Sequence, residues 1–134
     1  MNEQQLNLLK FSLPQSPFGN EAAFTTWFGR QVKDRGGFFH KISDFSLGFK
    51  PFDAVFGLKG FTWAIEFKFT KNWSCTPFTM LRGSTSNNPW TQVEGLSKFS
   101  TNGWNSLIIV YSSKVNKYII MDYNDKNLHN KVSF

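Results

Sequence analysis

Phe61-Thr62-Trp63-Ala64-Ile65-Glu66-Phe67-Lys68-Phe69 is the stretch that organises this chain. It is reached from Lys50-Pro51-Phe52-Asp53 through Ala54-Val55-Phe56 and the link Gly57-Leu58-Lys59-Gly60. Two apolar runs joined by a short glycine-bearing link read as an antiparallel hairpin, with strands over 54–56 and 61–69. Side chains alternate faces along a strand, so Glu66 and Lys68 share one face while Ile65, Phe67 and Phe69 occupy the other. As a same-face ion pair on a solvated sheet face, Glu66 and Lys68 would contribute only about 0.2–1 kcal/mol. Structure alone gives little reason for them in so phenylalanine-rich a strand.

Working outward, a helix is predicted from Asn20 to Arg35. Asn20 serves as N-cap, Glu21 suits the positive end of the helix dipole, and Gly36-Gly37 stops the helix. Phe24, Trp27, Phe28 and Val32 fall on one face at helical spacing. A strand follows over 38–42 and a loop over 43–50. Pro89 opens a second helix reaching Ser100, with Trp90, Val93 and Phe99 as its buried positions. Two further strands, 107–111 and 118–121, flank a turn over 112–116. Residues 1–18, carrying Pro14 and Pro17, read as a lead-in, 70–88 as a long polar loop, and 124–134 as a tail without pattern. The order α-β-β-β-α-β-β predicts an α/β layer protein with a mixed, five-stranded central sheet flanked by helices.

Composition narrows the class. The 134 residues suit one domain, and a 40% hydrophobic content with 16 Phe argues for a packed core rather than disorder. No run approaches the roughly 18 apolar residues that span a bilayer, and Met1-Asn2-Glu3-Gln4-Gln5 has no signal-like pattern, so a cytoplasmic protein is expected. Cys75 is the only cysteine, which excludes an internal disulfide and a cysteine-based zinc site. Fifteen Lys and Arg against nine acidic residues give +6, a surplus that favours a polyanionic partner.

Asp53 and Glu66 are hard oxygen donors of the kind Mg²⁺ takes, one or two carboxylates with several waters retained. A metal so held lowers the pKa of bound water and neutralises a phosphate oxygen. Lys68 beside it is a compact cation able to orient the attacking water or offset developing charge. Together with the order of elements, these residues resemble the PD-(D/E)XK nuclease superfamily, and within it the Holliday-junction resolvase-like and phage endonuclease-like members. The resemblance runs over roughly 19–121 and rests on Glu21, Pro51-Phe52-Asp53, Glu66-Phe67-Lys68 and Gln92. A phenylalanine stands between the proline and the aspartate, a departure from the motif.

The resemblance implies a restriction-endonuclease-like core and an Mg²⁺-dependent endodeoxyribonuclease, with Mn²⁺ able to substitute, acting on branched or junction DNA in recombination or repair. It further implies that the Phe67 carbonyl completes the metal shell, that Glu21 binds a second metal directly or through water, and that Gln92 reaches the site. Glu21 also has a plain reading as a dipole-favouring residue, and Gln92 one as a helix-surface residue. A symmetric homodimer is expected, since a junction presents two strands for two cuts. Lys41, Ser43, Asp44, Ser46, Lys50, Lys59, Lys71 and Arg82 lie where DNA contacts would fall, and Trp73 or Trp90 could stack on unpaired bases. His40 and His129 are too separated to support a histidine site. Two other readings stay open: an inactive basic nucleic-acid-binding module, and a restriction-type enzyme that reads duplex sequence through the 70–88 loop.

Overall fold

The computed structural model describes residues 3–42, 52–81 and 92–134. After a short helix α1 (Glu3–Asn7), helix α2 (Glu21–Asp34) begins where its cap predicts: Asn20 Oδ1 accepts a hydrogen bond from the Ala23 N–H at 2.8 Å. It ends at Gly36, whose φ of +81° only glycine adopts without strain, with the Gly37 N–H donating to the Val32 carbonyl. Phe24, Phe28 and Val32 are buried, and Trp27 partly so.

The chain then enters edge strand β1 (Phe38–Lys41), which pairs antiparallel with β2 (Ala54–Leu58), itself antiparallel to β3 (Phe61–Thr70). The hairpin turn is tighter than the sequence suggests. Leu58 pairs with Phe61, leaving Lys59 (φ +53°) and Gly60 (φ +86°) as a two-residue turn with both φ positive. Burial of Leu58 and pairing of Gly57 with Thr62 draw both into the strand. Lys59 therefore sits at the hairpin tip, six residues and about 20 Å of strand from Asp53.

Past β3 come β4 (Ser74–Cys75) and a 3₁₀ turn (Pro77–Met80), so part of the expected polar loop is ordered. Helix α3 (Gln92–Thr101) then carries the chain to β5 (Asn105–Ser112), which lies parallel to β3, and β6 (Lys117–Asp122) turns back antiparallel at the far edge. The sheet order is β1-β2-β3-β5-β6. This is the mixed five-stranded α/β sheet that the order of elements predicts. The tail contributes β7 (Val132–Ser133), which pairs with β4 in a second, two-stranded sheet. Burial around Cys75 pushes its thiol up to about 11, so the thiol form is favoured.

Each face of the sheet has its own core. Trp63, Ile65 and Phe67 of β3 pack with Leu107, Ile109 and Tyr111 of β5 against Phe24, Phe28 and Val32 of α2. Ala64, Ile108 and Val110 pack on the other face with Leu96 of α3, Phe52 and Met121. Because β3 is central, Glu66 on the α3 face is covered rather than solvated. The lead-in is also tied down: Leu9 and Phe11 are buried, and the Tyr118 hydroxyl accepts from the Phe11 N–H at 2.6 Å and donates to the Leu9 carbonyl at 2.7 Å. Farther along, the Phe18 N–H donates to the Tyr111 hydroxyl, and Asn116 donates to the Pro14 carbonyl. Among the described residues no helix is long and apolar enough to cross a membrane.

Candidate active site

The β2–β3 register places Ala54 opposite Ile65 and so sets Asp53, one residue earlier, beside Glu66. Asp53 donates its N–H to the Ile65 carbonyl at 3.0 Å, while its carboxylate Oδ2 accepts from the Phe67 N–H at 2.8 Å. One aspartate thus continues the ladder with its backbone and replaces it with its side chain. Since β-strand peptide groups alternate sides, Phe67 directs its carbonyl to the same β2 edge as its N–H. Asp53 is 7% exposed and Glu66 only 1%.

Four of the sequence-selected side chains meet here. Glu66 Oε2 accepts from Gln92 Nε2 of α3 at 2.5 Å and lies 3.5 Å from Lys68 Nζ. Gln92 is buried, which sets aside the helix-surface reading. Glu66 Oε1 is different: among the described residues it is the one buried side-chain polar atom without a hydrogen-bond partner. Burial foremost, then the Asp53 carboxylate beside it, push the Glu66 carboxyl up to about 9, with Lys68 pulling the other way. The hydrogen-bonding contact with Asp53 and the more distant charge of Glu21 add to the rise.

This donor set fits a hard divalent cation. Two adjoining carboxylates, one with an unsatisfied buried oxygen, are a costly arrangement in an otherwise apolar layer, and a cation reverses the cost. The residues that could hold it are Asp53, Glu66 and the Phe67 carbonyl. Glu21 does not join them directly. It is exposed at the start of α2, and no group of three His, Cys, Asp or Glu side chains stands together among the described residues.

The expected DNA-contacting residues scatter more widely. Lys41 is exposed at the end of β1, where it pairs with Ala54, next to Asp53. Lys71 and Trp73 are exposed beyond the end of β3. Trp73 is 65% exposed, and Lys114 Nζ lies 5.5 Å over its ring, a cation that sequence reasoning passed over because β5 and the turn after it bring it there. Ser43, Asp44, Ser46, Lys50, Pro51, Arg82 and Trp90 lie outside the described residues. His40 is exposed on β1, and the His129 ring packs on Phe78 with centroids 4.1 Å apart.

A mixed five-stranded sheet with a helix on each face, one carboxylate just before β2 and the other on the central strand β3, defines the restriction-endonuclease-like fold class. The chain is similar to Hjc of Archaeoglobus fulgidus, a Holliday junction resolvase from an archaeal hyperthermophile, with a TM-score of 0.56 over 82% of this chain and 84% of that one, at 16% identity. No family model and no curated protein sequence matches the chain.

Proposed function

We propose that this protein is a metal-dependent endodeoxyribonuclease of the PD-(D/E)XK type that cuts branched or junction DNA. The observation that carries the reading is the Asp53–Glu66 pair with Lys68 and Gln92 converging on it, buried, with one Glu66 oxygen left for a ligand. A resemblance in fold to a Holliday junction resolvase supports the substrate class.

In this reading Asp53 and Glu66, with the Phe67 carbonyl, hold Mg²⁺, and Mn²⁺ substitutes for it; Glu21 acts through water. When bound, the ion supplies a water of lowered pKa and charge neutralisation at the scissile phosphate. Gln92 holds Glu66 Oε2 by donating to it, which turns the unpartnered Oε1 toward the ion. Lys68 stands beside Glu66, where its ammonium orients the attacking water and offsets charge on the phosphate. Phe67 fixes Asp53 through its N–H, so the aspartate cannot swing away on ionising. Lys41, Lys71 and Trp73, with Ser43, Ser46, Lys50 and Arg82, supply backbone contacts and stacking, and two copies act as a homodimer on the two strands of a junction.

The test is incubation with four-way junction, flap, duplex and single-stranded DNA in Mg²⁺, Mn²⁺ or EDTA. Cleavage of branched substrates is expected with either metal, and none in EDTA. Asp53→Ala, Glu66→Ala and Lys68→Ala should each abolish it while circular dichroism stays unchanged. Wild-type rates in all of these variants would overturn the assignment. Tight, salt-sensitive binding without cleavage of any substrate would point instead to a binding module.

A further inference from the structure

Between α2 and the edge strand β1 runs an open groove of about 480 Å³, with Thr26, Arg30, Lys33, Asp34, His40 and Lys41 on its walls. Close packing forms its floor: a Cβ on Gly29 would lie 2.8 Å from Phe39 Cδ1, so helix and strand meet there and the longer side chains rise on either side. Arg30 and Lys33 stand three residues apart, one turn of helix, and both are exposed on α2. Arg35, by contrast, is committed to the fold, 4.5 Å over the Phe11 ring and hydrogen-bonded to Gln31. No such contact holds Arg30, Lys33 or Lys41 among the described residues.

One end of the groove approaches the backbone of Asp53. Lys41 pairs with Ala54, and the Ile42 N–H donates to the Asp53 carbonyl at 2.8 Å, so the Lys41 end lies one residue from the catalytic aspartate. At its other edge α2 starts with Glu21, near enough to influence Glu66. From Thr26 to Asp34 the helix rises about 12 Å, enough for about three successive phosphates of one DNA strand.

Resting on the nuclease reading above, we propose that this groove carries the sugar–phosphate backbone of the DNA strand as it leaves the site. Arg30, Lys33 and Lys41 pair with its phosphates, and Thr26 and His40 hydrogen-bond to it. Asp34 repels a phosphate at the far mouth and ends the track there. Contacts of this kind position a strand without reading its bases, which suits an enzyme selecting DNA shape over sequence.

The experiment measures binding to duplex and four-way junction DNA in EDTA across a KCl series. It compares wild type with R30Q/K33Q, the charge-keeping R30K/K33R, and K117Q on β6, at the sheet edge opposite β1. Loss of two phosphate contacts should reduce the slope of log K against log salt by about 2, while the other two variants keep the wild-type slope. With Mg²⁺, R30Q/K33Q should raise KM and leave kcat at saturating DNA unchanged. A wild-type slope in R30Q/K33Q, or an equal fall in K117Q, would overturn the groove. The two readings separate cleanly. Cleavage lost on Asp53→Ala with a normal slope in R30Q/K33Q removes the groove alone. A reduced slope in a protein that cuts no DNA removes the nuclease alone.

Discussion

Replacing Glu66 by glutamine should make the metal-free protein more stable at alkaline pH while ending its activity. Glutamine keeps the shape and still accepts from Gln92, but it never has to be ionised in the core. The glutamate titrates near 4.5 when unfolded and near 9 in the fold. Between those values the unfolded chain has lost a proton that the folded chain retains, so stability falls as pH rises, by up to about 1.4 kcal/mol per pH unit from this one group. Below pH 4.5 both states are protonated and the penalty vanishes. At pH 8 the full slope would amount to on the order of 5 kcal/mol; water entry and movement of Lys68 reduce the observable to roughly 2–3 kcal/mol. Urea unfolding in EDTA at a series of pH values measures the difference between wild type and Glu66→Gln. It should be near zero at pH 5 and grow steadily toward pH 8. Added Mg²⁺ should stabilise the wild type more at pH 8 than at pH 6, because the ion binds the deprotonated carboxylate, and should do little for the variant. A difference that is constant with pH, or a variant less stable at every pH, would refute the buried, proton-holding glutamate.

Gln92→Leu removes the donor to Glu66 Oε2; the Mg²⁺ concentration for half-maximal cleavage should rise about 10-fold or more, and an unchanged value would deny Gln92 its positioning role. Gly29→Ala should lower the thermal midpoint by an amount equivalent to about 1–3 kcal/mol, since the contact with the Phe39 ring outweighs the helix-propensity gain of about 1 kcal/mol; a stabilised variant would show that the ring yields. Trp73→Ala should weaken binding to flap and single-stranded DNA by about 1–3 kcal/mol while sparing duplex, which competition titrations would read directly.

What could be read from residues alone followed physical locality. The alternation of Trp63, Ile65 and Phe67 against Glu66 and Lys68 needs only the strand period, and the Asn20 cap and Gly36 stop need only the backbone of one helix. These placed α2, β2, β3 and the shared facing of Glu66 and Lys68. The burial of Glu66 was not legible, because it depends on β5 lying along the other side of β3, from Asn105 opposite Trp63 onward. The β4–β7 pair escaped for the same reason: two-residue strands have no period, and their partners lie far apart in the chain. Gln92 was selected through a resemblance; its bond to Glu66 exists because α3 packs over the sheet face opposite α2. The cationic groove requires the close approach at Gly29, which no pattern within α2 reveals.

The clasp of Tyr118 on Leu9 and Phe11 has a kinetic consequence. The two hydrogen-bonded partners are 107 residues apart, and a ribosome adding about 5–20 residues per second takes some 5–20 s to cover that interval. Throughout it Phe11 can meet Trp27 and Phe28 of α2, but the strand whose Tyr118 clasps it has not been made. The stretch around Leu9 and Phe11 is therefore synthesised early, and its hydrogen-bonded clasp closes late, once β6 has emerged. Tyr118→Phe should leave the sheet's formation untouched and slow only this last closure.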